Sequence, residues 1–234
     1  LITAYILSRI MNIERDIATL VGVGSSICGG SAIAAAAPVI KASDKDIAQS
    51  ISVIFLFNVV AAFLFPALGD MLGFTDTGFG MWAGTAINDT SSVVAAGQTW
   101  ASAHGSDTAL NYATIVKLTR TLAIIPICLG LAYITSKTKN TAADVKITSI
   151  FPMFILYFVI AAIFNTLAGE SLPVLAQLPS VGKFMIAMAM AAIGLNTNLV
   201  SLVKSGGKPI LLGLVCWIFI ALVSIGMQHV LGIW

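Results

Sequence analysis

Long apolar runs alternate with short polar intervals along this chain of 234 residues. Seven runs can be marked, at residues 17–40, 47–68, 79–100, 110–134, 151–167, 181–203 and 210–231. Most approach the roughly 20 residues that cross about 30 Å of hydrocarbon as an α-helix. Five predict uninterrupted helices. The first and third are broken up by Gly and small polar residues, GVGSSICGGS at 22–31 and AGTAINDTSS at 83–92. Such interruptions predict broken helices or re-entrant hairpins, whose freed backbone groups must line protein or water. The expected fold class is an all-α membrane protein, a polytopic helical bundle. Residues 1–8 read as the tail of a further helix, with neither an initiator Met nor the basic n-region of a signal peptide. An N-terminally truncated fragment is therefore expected.

The placement of charge separates single crossing from re-entry, because Lys and Arg concentrate in cytoplasmic loops. If every run crosses once, the basic residues fall on both faces. If the two interrupted runs each enter and return to the same side, Arg9, Arg15, Lys41, Lys45, Lys137, Lys139, Lys146, Lys204 and Lys208 share one face. The opposite intervals, 70–77, 101–109 and 169–180, then carry Asp70, Asp76, His104, Asp107 and Glu170 and no Lys or Arg. Re-entry is the preferred reading, with the basic face cytoplasmic.

A weak internal repeat points the same way. A shift of 60 residues pairs Gly24 with Gly84, Ile27 with Ile87, Ser31 with Ser91, Ala35 with Ala95, Ala36 with Ala96 and Pro66 with Pro126. In an Ala-rich chain these identities weigh little; the matching order, an interrupted run and then a helix with a late Pro, weighs more. The units lie at about 16–70 and 78–135, followed by C-terminal helices at 150–231. Because each unit contains one true crossing, the second is inverted and the two hairpin tips approach each other, a geometry that places ligand sites at mid-bilayer.

Composition agrees with the membrane reading. Apolar residues make up 58% and charged residues 9% of the chain, against about 25% charged in soluble domains. The net charge of +2 is dispersed, with no basic stripe for nucleic acid. Cys28, Cys128 and Cys216 are widely spaced in apolar runs and read as buried hydrophobes. His104 and His229 have no second ligand at helical spacing, so no metal is expected, and no cofactor beyond a coupling H⁺ or Na⁺.

Candidate chemistry gathers at the interruptions. Ser26, Gly29, Gly30 and Ser31 form the first tip, where hydroxyls and Cβ-free backbone can approach a ligand. The helix starting there would present free N–H groups and a positive dipole end, which suits an anion; tight packing through small residues explains the same pattern. At the second tip Asn88, Thr90 and Ser91 are neutral donors and acceptors. Asp89 is the one acidic residue inside an apolar run. It either carries a coupling ion or pairs with a basic residue, and it can cap the helix that follows at the same time. Lys117 and Arg120, three residues apart, share a helical face. Arg120 lies near mid-depth, too deep to snorkel easily, and the pair is expected to neutralise an anion. Asn58 and Asn165 read as interhelical hydrogen-bonding residues, and 194–198 (GLNTN) as a helix end or break. Gly22-Val23-Gly24 is followed by Ile27 where a dinucleotide site needs Gly, and no P-loop occurs. An intramembrane hydrolase would need a base beside a tip serine, and sequence spacing supplies none; an enzyme is not expected.

Five motifs in order, GSSICGGSAIAAAAPVI, VIFLFNVVAAFLFPALG, WAGTAINDTSSVVAAG, VKLTR and AMAMAAIGLNTNL, resemble the bacterial YeiH-type sulfate exporter family over essentially the whole chain. The resemblance implies a multi-pass inner-membrane protein of the broken-helix, inverted-repeat type, longer at its N-terminus. Many members have His where Asn88 stands here. The function expected is a single transmembrane transport domain, 1–234, that exports a small oxyanion, sulfate or a sulfonate, with ion coupling. A Na⁺-coupled carboxylate or bile-acid-like symporter is the alternative, and a non-transporting membrane sensor or scaffold is the reading from another class. Expected partners are the lipid bilayer and the small anionic substrate, with a homo-oligomer left open.

Overall fold

In the computed structural model of the chain, the residues described are 1–139 and 207–233, with isolated positions between 157 and 188. The runs expected at 151–167 and 181–203 fall largely outside them, and Asn165 and 194–198 wholly outside. Among the described residues the elements are helices: α1 (Ile2–Met11), α2 (Arg15–Ser26), α3 (Gly30–Ile40), α4 (Asp44–Leu72), α5 (Asp76–Ala86), α6 (Thr90–His104), α7 (Thr108–Thr121), α8 (Ile124–Lys139) and α9 (Gly207–Leu231). Among the described residues three stretches are long and apolar enough to cross a membrane: α4, the nearly continuous α7–α8 over Thr108–Thr135, and α9.

Local chemistry sets the boundaries. Ser43 opens α4 by accepting from the Asp46 N–H at 3.2 Å, and Thr75 opens α5 by accepting from the Gly78 N–H at 3.1 Å. Gly73 ends α4 at φ 69°, a left-handed C-cap. Between α7 and α8, Pro126 has no N–H for the Leu122 carbonyl, which accepts instead from the Ile125 N–H at 3.3 Å. The run expected to be uninterrupted at 110–134 is loosened there.

Both interrupted runs turn back on themselves. In the second, the Trp100 indole N–H near the end of α6 donates to Asp76 Oδ1 at the start of α5, at 2.8 Å across 24 residues. A straight helix would separate those residues by about 36 Å. Phe79 and Trp100 stack beside this bond with ring centroids 4.1 Å apart. At the exposed mouth, that donated bond and a second one from Ser106 hold the Asp76 carboxyl below its ordinary pKa. In the first, Arg15, Asp16 and Thr19 at the start of α2 share a cleft with Ile40 at the end of α3. Leu131 and Ile134 of α8 line the same cleft, so the hairpin α2–α3 enters from the end of the bundle where α8 finishes.

The hairpin α5–α6 enters from the other end, marked by the 3.1 Å contact between His104 Nε2 and Asp70 Oδ1. Connectivity requires this: α4 leaves the first end after α3 and delivers the chain to α5. Parallel to α5 runs α7, since a Cβ on Gly80 would lie 2.7 Å from the Ala109 carbonyl oxygen, and one on Gly84 the same distance from that of Ala113. Small residues four apart allow this backbone-to-backbone packing. Helix α9 covers α4 and α5, with Phe57 against Trp217 at 5.6 Å and the Trp82 indole N–H donating to the Ala221 carbonyl at 3.2 Å.

Candidate functional site

The tips, residues 27–29 and 87–89, meet at the middle of the bundle. Asn58, the central residue of the 29-residue α4, marks that depth. Its side-chain oxygen accepts from the Asp89 N–H at 3.2 Å. Gly29 lies against the second tip, a Cβ there falling 3.6 Å from the Asp89 Cα. The first tip is possible because residue 29 is Gly: its φ of 72° with ψ −128° is a conformation that side-chain-bearing residues avoid.

Each hairpin brings a negative helix end to this depth, because α2 and α5 both terminate there with unpaired carbonyls. Lys117 and Arg120 of α7 satisfy them. Lys117 Nζ donates to the Ile27 carbonyl at 2.7 Å and the Ile87 carbonyl at 3.0 Å, and the residue is 0% exposed. The Arg120 guanidinium donates through Nε to the Ser26 carbonyl at 2.8 Å and through its two terminal nitrogens to Ser25 and Thr85. Burying a cation costs several kcal/mol. Hydrogen bonds from a charged group return about 1.5–3 kcal/mol each, so two bonds at Lys117 and three at Arg120 offset that cost.

The acceptors follow the 60-residue shift. Ile27 and Ile87 are equivalent under it, and so are Ser25 and Thr85. One helix therefore grips the same two levels of both hairpins. Sequence reasoning named both cations but missed their partners, which are backbone atoms of apolar or small residues. The repeat alignment had already paired Ile27 with Ile87, and that was the signal available.

The returning arms carry the other expected residues. Asp89 caps α6, its Oδ2 accepting from the Ser91 N–H at 3.1 Å, the Ser92 N–H at 3.4 Å and the Ser91 hydroxyl. Gly29, the N-cap of α3, provides no side-chain cap. Ser31 is exposed, and Gly30, Thr90 and Ser91 are half-buried. The Ser26 hydroxyl donates to the Gly22 carbonyl at 2.6 Å. Asn88 is 1% exposed, and its side-chain oxygen has no hydrogen-bond donor among the described residues. Among the described residues neither cation donates to Ser31 or Ser91, so the expected role of Lys117 and Arg120 as anion ligands needs some carbonyl bonds to be exchanged. A cavity of about 340 Å³ opens beside Arg120, lined also by Ser25, Ser26, Thr85, Cys216 and Phe219.

Comparison with known proteins places this architecture. The family described as conserved hypothetical protein 698 matches residues 1–213. A UPF0324 membrane protein of Streptococcus mutans is 58% identical over 242 residues, covering all of this chain and 71% of the relative. The chain belongs to the UPF0324 membrane protein family. A UPF0324 membrane protein of Fusobacterium nucleatum is 54% identical over 248 residues, covering all of this chain and 72% of that one. The YeiH-type resemblance and the UPF0324 family are the same family, and the chain is a membrane protein. No solved structure matches it.

Proposed function

We propose that this UPF0324 protein is a multi-pass secondary transporter of the bacterial inner membrane that moves a small oxyanion, sulfate or a sulfonate, outward with ion coupling. The observation that carries the reading is the meeting of two hairpins, entering from opposite ends, where Lys117 and Arg120 bind carbonyls of both and a cavity opens beside Arg120. Such a meeting point can be opened toward either side when Lys117 or Arg120 exchanges its carbonyl bonds, which is what alternating access requires. The sign of the charge favours an anion. Among the described residues at that depth, Lys117 and Arg120 outweigh Asp89 by one unit, and the positive ends of α3 and α6 add to the excess. The cavity's size is within the range of small-molecule sites, roughly 300–1,000 Å³. Ser26, Ser31 and Ser91 would orient the anion, Arg120 would face its charge, and Asp89 would carry the coupling ion.

Sulfate flux into proteoliposomes tests these roles. Asp89→Asn keeps a good N-cap while removing the charge, so it should fold and lose coupled flux by tenfold or more. Arg120→Gln should lose flux as well. Unchanged sulfate transport in both variants would sink the assignment.

A further inference from the structure

We propose that Lys117 is a tethered cation seated in a monovalent-cation site of this fold, so that the tip-to-tip contact closes without free Na⁺. The inference goes beyond transport and does not depend on it. Three observations carry it. The ammonium is fully buried, and the acceptors found for it are two backbone carbonyls, at 2.7 and 3.0 Å. Those carbonyls belong to Ile27 and Ile87, each the residue that ends its half-helix, where the dipole is negative. Oxygens at the ends of broken helices are the ligand set that holds Na⁺ in discontinuous membrane helices. Next to Ile87 in the chain, the buried Asn88 side-chain oxygen has no donor among the described residues and is an acceptor of the same hard type.

The site is single although the fold is doubled. Sixty residues before Lys117 stands Phe57, which packs on Trp217. One copy of the repeat therefore supplies the cation for both tips. A free Na⁺ would bring the same unit charge to the same oxygens, and the lysine stem makes it permanent. Arg120, one turn further along α7, has its own acceptors in Ser25, Ser26 and Thr85 and does not compete for these.

Thermal unfolding of the full-length protein in detergent, with choline, Na⁺ or n-propylammonium as the cation, tests the proposal without any flux measurement. Any shift of the wild-type midpoint between the three should be smaller than that of Lys117→Ala. Lys117→Ala removes the ammonium and three methylenes, which propylammonium replaces almost atom for atom. Its midpoint should be lower in choline and rise by about 5–10 °C in Na⁺ or propylammonium at 100 times their Kd. Recovery of this variant only from Na⁺- or propylammonium-containing buffer counts equally in favour. Lys117→Met fills the same space without charge, so its midpoint should be low in all three buffers. The proposal is overturned if Lys117→Ala gains no more from Na⁺ or propylammonium, relative to choline, than wild type does, or if Lys117→Met is as stable as wild type.

Discussion

Gly29 and Asp89 show how much rests on single residues where two chain reversals touch. Gly29 combines a positive φ with near neighbours, since a Cβ would lie 3.3 Å from Ile54 Cγ2 and 3.4 Å from Asn58 Nδ2. Gly29→Ala should destabilise the protein by about 1–3 kcal/mol, the usual cost of forcing a side chain into such a conformation, read as a lower unfolding midpoint in detergent. A midpoint equal to wild type would mean that the tip can be rebuilt with a different φ. Asp89 is different, because its cap can be supplied by Asn while its charge cannot. Both residues were legible in the sequence, Gly29 by its place in GGS and Asp89 by its isolation. The acceptors of Lys117 and Arg120 were not, because a carbonyl oxygen belongs to every residue type and only the fold says which ones are left unpaired.

Helix α7 is the element on which the arrangement depends. It packs against both arms of the second hairpin, with Gly97 of α6 close to Leu110 and Gly80 and Gly84 of α5 against its backbone. At Gly84 an added Cβ would also lie 2.9 Å from Val116 Cβ, so the two helices cannot separate to admit a larger residue without moving the Ile87 carbonyl. Gly84→Leu should cost about 1–3 kcal/mol from overpacking, measured as thermal stability, and more than Gly130→Leu, where a Cβ meets nothing within 4 Å among the described residues. Equal costs at the two positions would refute close packing of α5 on α7. The sequence announced the small residues but not their partner; GMWAG gives the spacing, and only the parallel course of α5 and α7 explains its use.

For the whole molecule, the fold was readable because three coarse signals agreed: apolar length, interruption and the sidedness of charge. The re-entrant course followed from charge placement, and the 2.8 Å bond between Trp100 and Asp76 has the same meaning in geometry. Cysteine labelling can check it in the membrane. The cysteines Cys28, Cys128 and Cys216 are buried, and a Cys-free background removes them from the readout. In that background Thr75→Cys and Ser106→Cys should react with an impermeant reagent from the same side, and Ala42→Cys from the opposite one. Reaction of Thr75→Cys and Ser106→Cys from opposite sides would refute the hairpin. Less of the site was legible, because it is built from helix ends that belong to two distant stretches of chain.

The paired levels of carbonyls gripped by Lys117 and Arg120 have a mechanical consequence. Two pins on one shaft, each engaging both opposed hairpins, gear them together: if α7 slides or rotates, neither tip can follow without the other. Any stroke that opens the crossing toward one side must therefore either carry α7 and both tips as one block past α4 and α9, or withdraw a pin.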